Sequence, residues 1–126
     1  MPDAKDLKIL VVDDFSVTRT LVINYLSKLG YSNTVEAENG VSALARLKSA
    51  LFDLVVTDCS MSDMSGLDLL KQIRADSDLK HIPVLMVTSE DLQANIITAI
   101  KAGLNDYIVR PFDEYTFKQK LEKIFV

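Results

Sequence analysis

Hydrophobic positions in this chain fall into short continuous runs separated by longer stretches in which they recur every three or four residues. Residues 7–12 read LKILVV, a nearly unbroken apolar run rich in Val and Ile, the pattern of a strand buried on both faces. It stops at Asp13-Asp14. The next stretch carries Val17, Leu21, Tyr25, Leu26 and Leu29 at helical spacing, with Ser16 placed to cap the helix and Gly30 placed to end it. A short strand at 34–37 follows. Asn39 then caps a helix through Val41, Leu44 and Leu47, and a second buried run, DLVVT at 53–57, ends at Asp58. A polar stretch at 59–65 leads into a helix with Leu67, Leu70 and Ile73. Residues 82–87, IPVLMV, predict a fourth strand with Pro83 near its start, where a missing N–H donor is tolerated. Ser89 caps the next helix, whose first turn holds Glu90 and Asp91, acids that suit the positive end of the helix dipole, and Gly103 ends it. A strand at 107–109 and a helix from Asp113 through Phe117, Leu121 and Ile124 complete five strand-then-helix units. Such alternation, with helix-length crossovers, predicts an α/β fold: a doubly wound five-stranded parallel sheet with helices on both faces.

Length and composition narrow the class of function. The 126 residues suffice for one domain over positions 1–126, with 48% apolar and 25% charged residues typical of a globular chain, and no second, effector domain is expected. No run reaches the ~18 apolar residues of a membrane span, and the opening MPDAKDLK lacks a signal-peptide core. The lone Cys59 cannot form an internal disulfide, which agrees with a reducing compartment. A cytoplasmic, monomeric protein without membrane contact is therefore expected. Net charge is −4 with no basic block, so no nucleic-acid surface is expected either.

The informative residues follow the strands, because ligands of an open parallel sheet bind beyond the carboxyl ends of its strands. Strand one ends in Asp13-Asp14, strand three in Asp58, strand four in Thr88-Ser89, and strand five runs into Arg110-Pro111. If strands one and three are neighbours, three carboxylates converge. Each pair of charges ~4 Å apart then repels by about 4 kcal/mol at an effective dielectric of ~20, which calls for a cation. Oxygen ligands without His or Cys favour a hard ion, and Mg²⁺ held by one or two carboxylates fits best. A lone acid after a strand is usually a solvated turn residue; three at matched strand ends, facing an Arg and two hydroxyls, point to a site. The site suits phosphoryl chemistry, with Asp58 as nucleophile, the Asp13-Asp14 pair on the metal, and Thr88 and Arg110 positioned to meet phosphoryl oxygens.

Val11-Val12-Asp13-Asp14, Asp58, Thr88 and Arg110-Pro111-Phe112, at this spacing, resemble the receiver domain of two-component response regulators. The segments LVVDDFS, IRAD, PVLMVTSE, NII and KIF extend the resemblance over essentially the whole chain, toward the single-domain chemotaxis members. The resemblance implies the flavodoxin-like strand order 2-1-3-4-5, for which such regulators are a standing example. It implies a signalling protein rather than an enzyme, with Asp58 as phospho-acceptor and a histidine kinase as donor. Asp14, Asp58 and the backbone carbonyl of Ser60 would bind Mg²⁺ directly, and Asp13 mainly through a metal-bound water. Thr88 and Tyr107 would be the switch pair, and the bond before Pro111 would be cis. Partners would dock on a face presenting Asp91, Leu92, Ile96, Tyr107, Val109, Asp113 and Lys120; a phosphatase and a flagellar motor switch protein are among the partners implied.

Two positions depart from the family pattern. The Lys that usually precedes the Pro is Arg110, and the Pro usually found four residues after the acceptor is Ser62. Arg keeps the charge but is larger and planar, so its fork is expected to pair two-pronged with Asp58 at rest and to weaken switching. The alternative role is then a phosphate sink or scaffold outside motor control. Cys59 is expected to be a small hydrophobe, His81 a surface residue, and Met61, Met64 and Met86 loop and core packing. A haloacid-dehalogenase-type phosphatase would need a second Asp at position 60, which is Ser, and a dinucleotide fold would need a Gly-rich turn where this chain reads DDFSVTR.

Overall fold

Five strands alternate with five helices among the residues that the computed structural model describes, 4–89 and 93–125. In chain order these are β1 (Lys8–Val12), α1 (Ser16–Lys28), β2 (Asn33–Ala37), α2 (Gly40–Ser49), β3 (Leu54–Asp58), α3 (Gly66–Ala75), β4 (Val84–Thr88), α4 (Gln93–Lys101), β5 (Asp106–Val109) and α5 (Glu114–Phe125). The strands form one sheet in the order β2-β1-β3-β4-β5, and every pairing is parallel. The chain reverses its direction of travel across the sheet between β1 and β3, the switch point at which open α/β sheets bind ligands.

Alternate side chains of the central strands enter opposite layers, which is why these strands read as continuous apolar runs. Leu10, Val12, Val55, Val84 and Met86 pack with Ala43 and Leu47 of α2, Leu69, Leu70 and Ile73 of α3, and Ile96 and Ala99 of α4. Ile9, Val11, Leu54, Val56, Leu85, Val87 and Ile108 face the other way, onto Val22 and Leu26 of α1 and Phe117 and Leu121 of α5. Phe117 is fully buried and stacks on Phe112, with centroids 5.6 Å apart. Burying a side chain of that kind stabilises the fold by about 1.5–3 kcal/mol.

Helix α1 differs from its sequence reading in two ways. Val17 and Leu21 are 81% and 42% exposed, and the stripe that meets the sheet is Val22 and Leu26. Two apolar stripes run along this helix, and the spacing of the first does not reveal which one faces inward. Ser16 is the first helical residue rather than the cap. The cap position is Phe15, and the Asp13 carboxylate takes up its N–H at 2.9 Å.

The other ends follow local chemistry. Asn39 Oδ1 accepts from Ser42 N at 2.8 Å, Ser65 Oγ from Asp68 N at 3.0 Å and Asp113 Oδ1 from Thr116 N at 2.8 Å. Gly30 and Gly103 lie just past α1 and α4 with φ of 96° and 103°, where a side chain would be strained. The first turn expected at Glu90 and Asp91, and with it the cap at Ser89, involves residues outside those described.

Opposite the strand carboxyl ends, the Arg74 guanidinium gathers the end of α3 with the loops on either side of β4. It donates to the carbonyls of Lys80 (3.0 Å), Ile82 (2.7 Å) and Gly103 (3.0 Å) and to Asn105 Oδ1 (2.8 Å). Asn105 Oδ1 also accepts from Val84 N at 2.9 Å, so the node is continuous with the start of β4.

Candidate functional site

Pairing register brings the acids together. Val12 lies opposite Thr57, so Asp13 and Asp58 stand at the same level at the ends of adjacent strands, with Asp14 beside them. Carboxylate oxygens of Asp13, Asp14 and Asp58 come within 4.8 Å of one another, and this cluster could hold a metal ion. Asp13 and Asp58 are 3% and 4% exposed. Burial pushes the Asp58 carboxyl up to about 6 against the pull of Arg110, with Asp13 adding repulsion, and burial raises that of Asp13 as well. Oδ1 of Asp14 and Oδ1 of Asp58 are buried and have no hydrogen-bond partner among the described residues. Buried carboxylate oxygens left without donors are what a hard cation with oxygen ligands would satisfy.

Arg110 reaches the Asp58 carboxylate of the cluster. Its Nη2 stands 3.1 Å from Asp58 Oδ1, a single-pronged ion pair in place of the expected fork, and the guanidinium stays one-third exposed. Its backbone N–H is bonded to Thr88 O at 2.7 Å, and the Arg110–Pro111 bond is cis, as expected. Thr88 is buried next door, its hydroxyl 3.3 Å from the Ser89 carbonyl. Ser60 is exposed, two residues beyond Asp58.

Four residues that the sequence did not single out hold this arrangement. A Cβ at Gly66 would clash with the carbonyl oxygen of Asp58, so only glycine lets α3 start this close to the acid. The Asp63 carboxylate spans to the N-terminus of α2, accepting from Gly40 N and Val41 N at 3.1 Å each, and thereby ties down the loop that carries Ser60. Arg19 Nη1 donates to the Asp13 carbonyl at 2.6 Å while its Nε pairs with Glu36 at 2.9 Å, fixing the turn of the two acids against β2. The pairs Arg19–Glu36 and Asp63–Gly40 span 17 and 23 residues, and no local motif announces them; only the glycine opening a helix was a visible oddity.

The face expected to meet partners is partly described. Tyr107, Val109, Thr88 and Ile96 line one cavity of about 320 Å³ between α4 and β5. Ile96 itself is buried, and the exposed apolar groups of α4 are Ile97 and Ile100, at 59% and 52%. Asp113 is exposed and Lys120 half-buried, whereas Asp91 and Leu92 lie outside the described residues. Cys59 is buried, with its thiol pushed up by burial, His81 is exposed, and Met86 is in the core.

A family model of the response regulator receiver domain matches residues 9–122. The chain belongs to this family. The receiver domain is closely related to chemotaxis CheY proteins: it is 56% identical over 121 residues to chemotaxis protein CheY-3 of Vibrio cholerae, covering 96% of this chain and 93% of that protein. Its fold is CheY-like. The solved structure of Vibrio cholerae CheY4 superposes with a TM-score of 0.86 at 31% identity, covering 94% of this chain and 98% of that one. The receiver domain of the sensor histidine kinase PA1611 from Pseudomonas aeruginosa, solved with a magnesium ion in its active-site cleft, superposes with a TM-score of 0.84 at 26% identity over 95% and 98% of the two chains. Among the described residues no helix is long and apolar enough to cross a membrane.

Proposed function

We propose that this receiver domain is a CheY-like response regulator that takes a phosphoryl group onto Asp58 from a CheA-like histidine kinase and relays the change to a protein-binding face. The observation that carries the reading is the cluster of Asp13, Asp14 and Asp58, with two buried oxygens lacking donors and Arg110 against one of them. An Asp58 oxygen attacks phosphorus, the P–N bond of the donor phosphohistidine breaks, and its electron pair returns to the imidazole, which takes up a proton. Asp14, Asp58 and the Ser60 carbonyl would hold Mg²⁺, with Asp13 acting through water. The bound ion would neutralise charge on the phosphoryl oxygens. A related receiver domain that holds magnesium in its cleft supports this choice.

On the protein side, Arg110 and the Thr88 hydroxyl orient the transferred group. Thr88 and Tyr107 line one cavity, so a Thr88 drawn toward the phosphoryl group leaves space that the Tyr107 ring follows into, a population shift in a two-state element. The face beside Tyr107 and Val109 then meets a partner: a flagellar motor switch protein in the chemotaxis reading, with a phosphatase resetting the signal. One observation favours a second reading, a phosphate sink or scaffold. The guanidinium at 3.1 Å from Asp58 competes with metal and phosphoryl group alike.

Incubation with acetyl phosphate tests the core of the proposal. Wild type is expected to label with Mg²⁺ and not in excess chelator, and Asp58→Asn is expected not to label at all. Full labelling of the variant would overturn it. Binding of a motor-switch peptide with and without beryllofluoride separates the two output readings.

A further inference from the structure

Asp106 and Tyr107 are neighbours in the edge strand β5, yet their side chains serve opposite layers. Ile108, two residues from Asp106, packs on the α1 and α5 side, whereas Tyr107 packs against the layer of α2, α3 and α4. Lys120 of α5 connects the two. Its Nζ lies 3.0 Å from Asp106 Oδ1 and 5.2 Å from the centroid of the Tyr107 ring. A side chain from α5 can reach a residue of the opposite layer in this way only around a sheet edge, and β5 is one.

The acid is built into this contact. The Asp106 side chain is 9% exposed; its Oδ1 accepts from Tyr107 N at 2.8 Å as well as from Lys120, and its Oδ2 is buried without a hydrogen bond among the described residues, with Lys123 Nζ at 3.8 Å. The ammonium is therefore held by a carboxylate that also grips the backbone of the residue whose ring it covers. That ring lines two cavities: one of about 320 Å³ toward Thr88 and α4, and one of about 330 Å³ toward Pro111, Phe112 and Lys120. A ring that turned into the first cavity would leave the ammonium, while Lys120 would stay on Asp106.

We infer that Asp106 and Lys120 are positioning residues for the Tyr107 ring, an ion pair that holds the ring beside α5 and sets how much of the protein has it turned toward Thr88. This rests on the reading of Tyr107 as a switch residue. Attraction between an ammonium and a ring face at a partly exposed site biases a two-position equilibrium by about two- to fivefold. The two residues thus set the level of signalling in the unphosphorylated protein without touching the acids.

Ring signals of selectively labelled tyrosine in NMR spectra of the full chain provide the test. Lys120→Met is expected to raise the turned-in population of Tyr107 by about two- to fivefold, and Asp106→Asn to shift it in the same direction. Lys120→Arg, which keeps both charge and ring contact, is expected to restore the wild-type population. The Tyr25 ring, packed on Phe112 and Phe117, reports that the core is intact. Identical Tyr107 populations in wild type and Lys120→Met, with Tyr25 unchanged, would overturn the inference, and that pair decides the matter even if Asp106→Asn does not fold. A wild-type Tyr107 ring that beryllofluoride and Mg²⁺ leave unmoved would instead overturn the switch reading itself.

Discussion

Arg110 and Asp58 are joined through one nitrogen and one oxygen 3.1 Å apart, with no aligned hydrogen bond between them. The pair is one-third exposed on the Arg side, so its strength belongs with the weaker ion pairs, roughly 0.5–1 kcal/mol. Arg110→Lys keeps the charge but removes the planar group that stands against the acid. Mg²⁺ is expected to bind about two- to fivefold more tightly to that variant, as read by metal titration. Equal affinities would mean that the guanidinium does not compete for the site.

Acid strength at Asp58 gives a pH dependence of defined sign. Burial pushes its carboxyl up to about 6 in the folded chain, against about 3.8 for an ordinary aspartate in the unfolded one, so the folded state holds the proton more tightly. The stability this group contributes is full below about pH 4 and is lost as pH rises through about 6. In the absence of metal, Asp58→Asn should therefore be more stable than wild type at pH 7, by roughly 3 kcal/mol, and the gap should close toward pH 4. Urea melts at the two pH values check this. Mg²⁺ binding, which needs the carboxylate, should weaken as pH falls below about 6.

Asp63 makes the opposite prediction. Backbone N–H groups, chiefly those of Val41 and Gly40, hold its carboxyl below the usual range, so its contribution is present above about pH 4 and lost as pH falls through the lowered value. Asp63→Ala should speed amide exchange at Gly40 and Val41 severalfold and weaken Mg²⁺ binding, because the loop carrying Ser60 loses its tie to α2. Exchange rates unchanged in the variant would show that the cap holds nothing.

Gly66→Ala should cost more than an ordinary glycine substitution in a helix, about 1–3 kcal/mol, since the added carbon meets the backbone carbonyl of Asp58 and not a yielding side chain. Thermal melting measures the loss. A variant as stable as wild type would mean that the start of α3 shifts freely away from β3.

Charge at the start of α4 predicts how a partner is met. Glu90 and Asp91 precede α4 in the sequence and Asp113-Glu114 stand at the next helix, acids that disfavour an acidic motor-switch peptide. Affinity of the beryllofluoride-activated protein for such a peptide should rise as salt is added, and Glu90→Lys should raise the association rate at low salt. Tight binding that falls with salt would show attraction instead.

Much of this was legible in the chain. The alternation of apolar runs and periodic stretches announced the five strands and five α-helices, though not the short 3-10 helix Ala4–Asp6, and the acids at strand ends were visible because a parallel sheet sets its ligand groups just past its apolar runs. The inward face of α1 was not legible, because Val17 and Leu21 offer a second apolar stripe beside Val22 and Leu26. Nor were Arg19 with Glu36, Asp63 with Gly40, or Lys120 with Asp106. Each is a pairing across 14 to 23 residues of chain that depends on how helices are laid on the sheet, and charged residues on helices read alike whether paired or solvated.

The knot of acceptors around Arg74 grips the C-terminal end of α4 through Gly103 and the start of β5 through Asn105. A helix fastened at that end moves as a lever with its fulcrum there. Any displacement of α4 would be smallest at the knot and largest at its opposite end. A small pull on the Thr88 hydroxyl would thus be magnified along the exposed Ile100 and Ile97, and loosening the fulcrum would let α4 drift as a whole and blunt the signal that a partner reads.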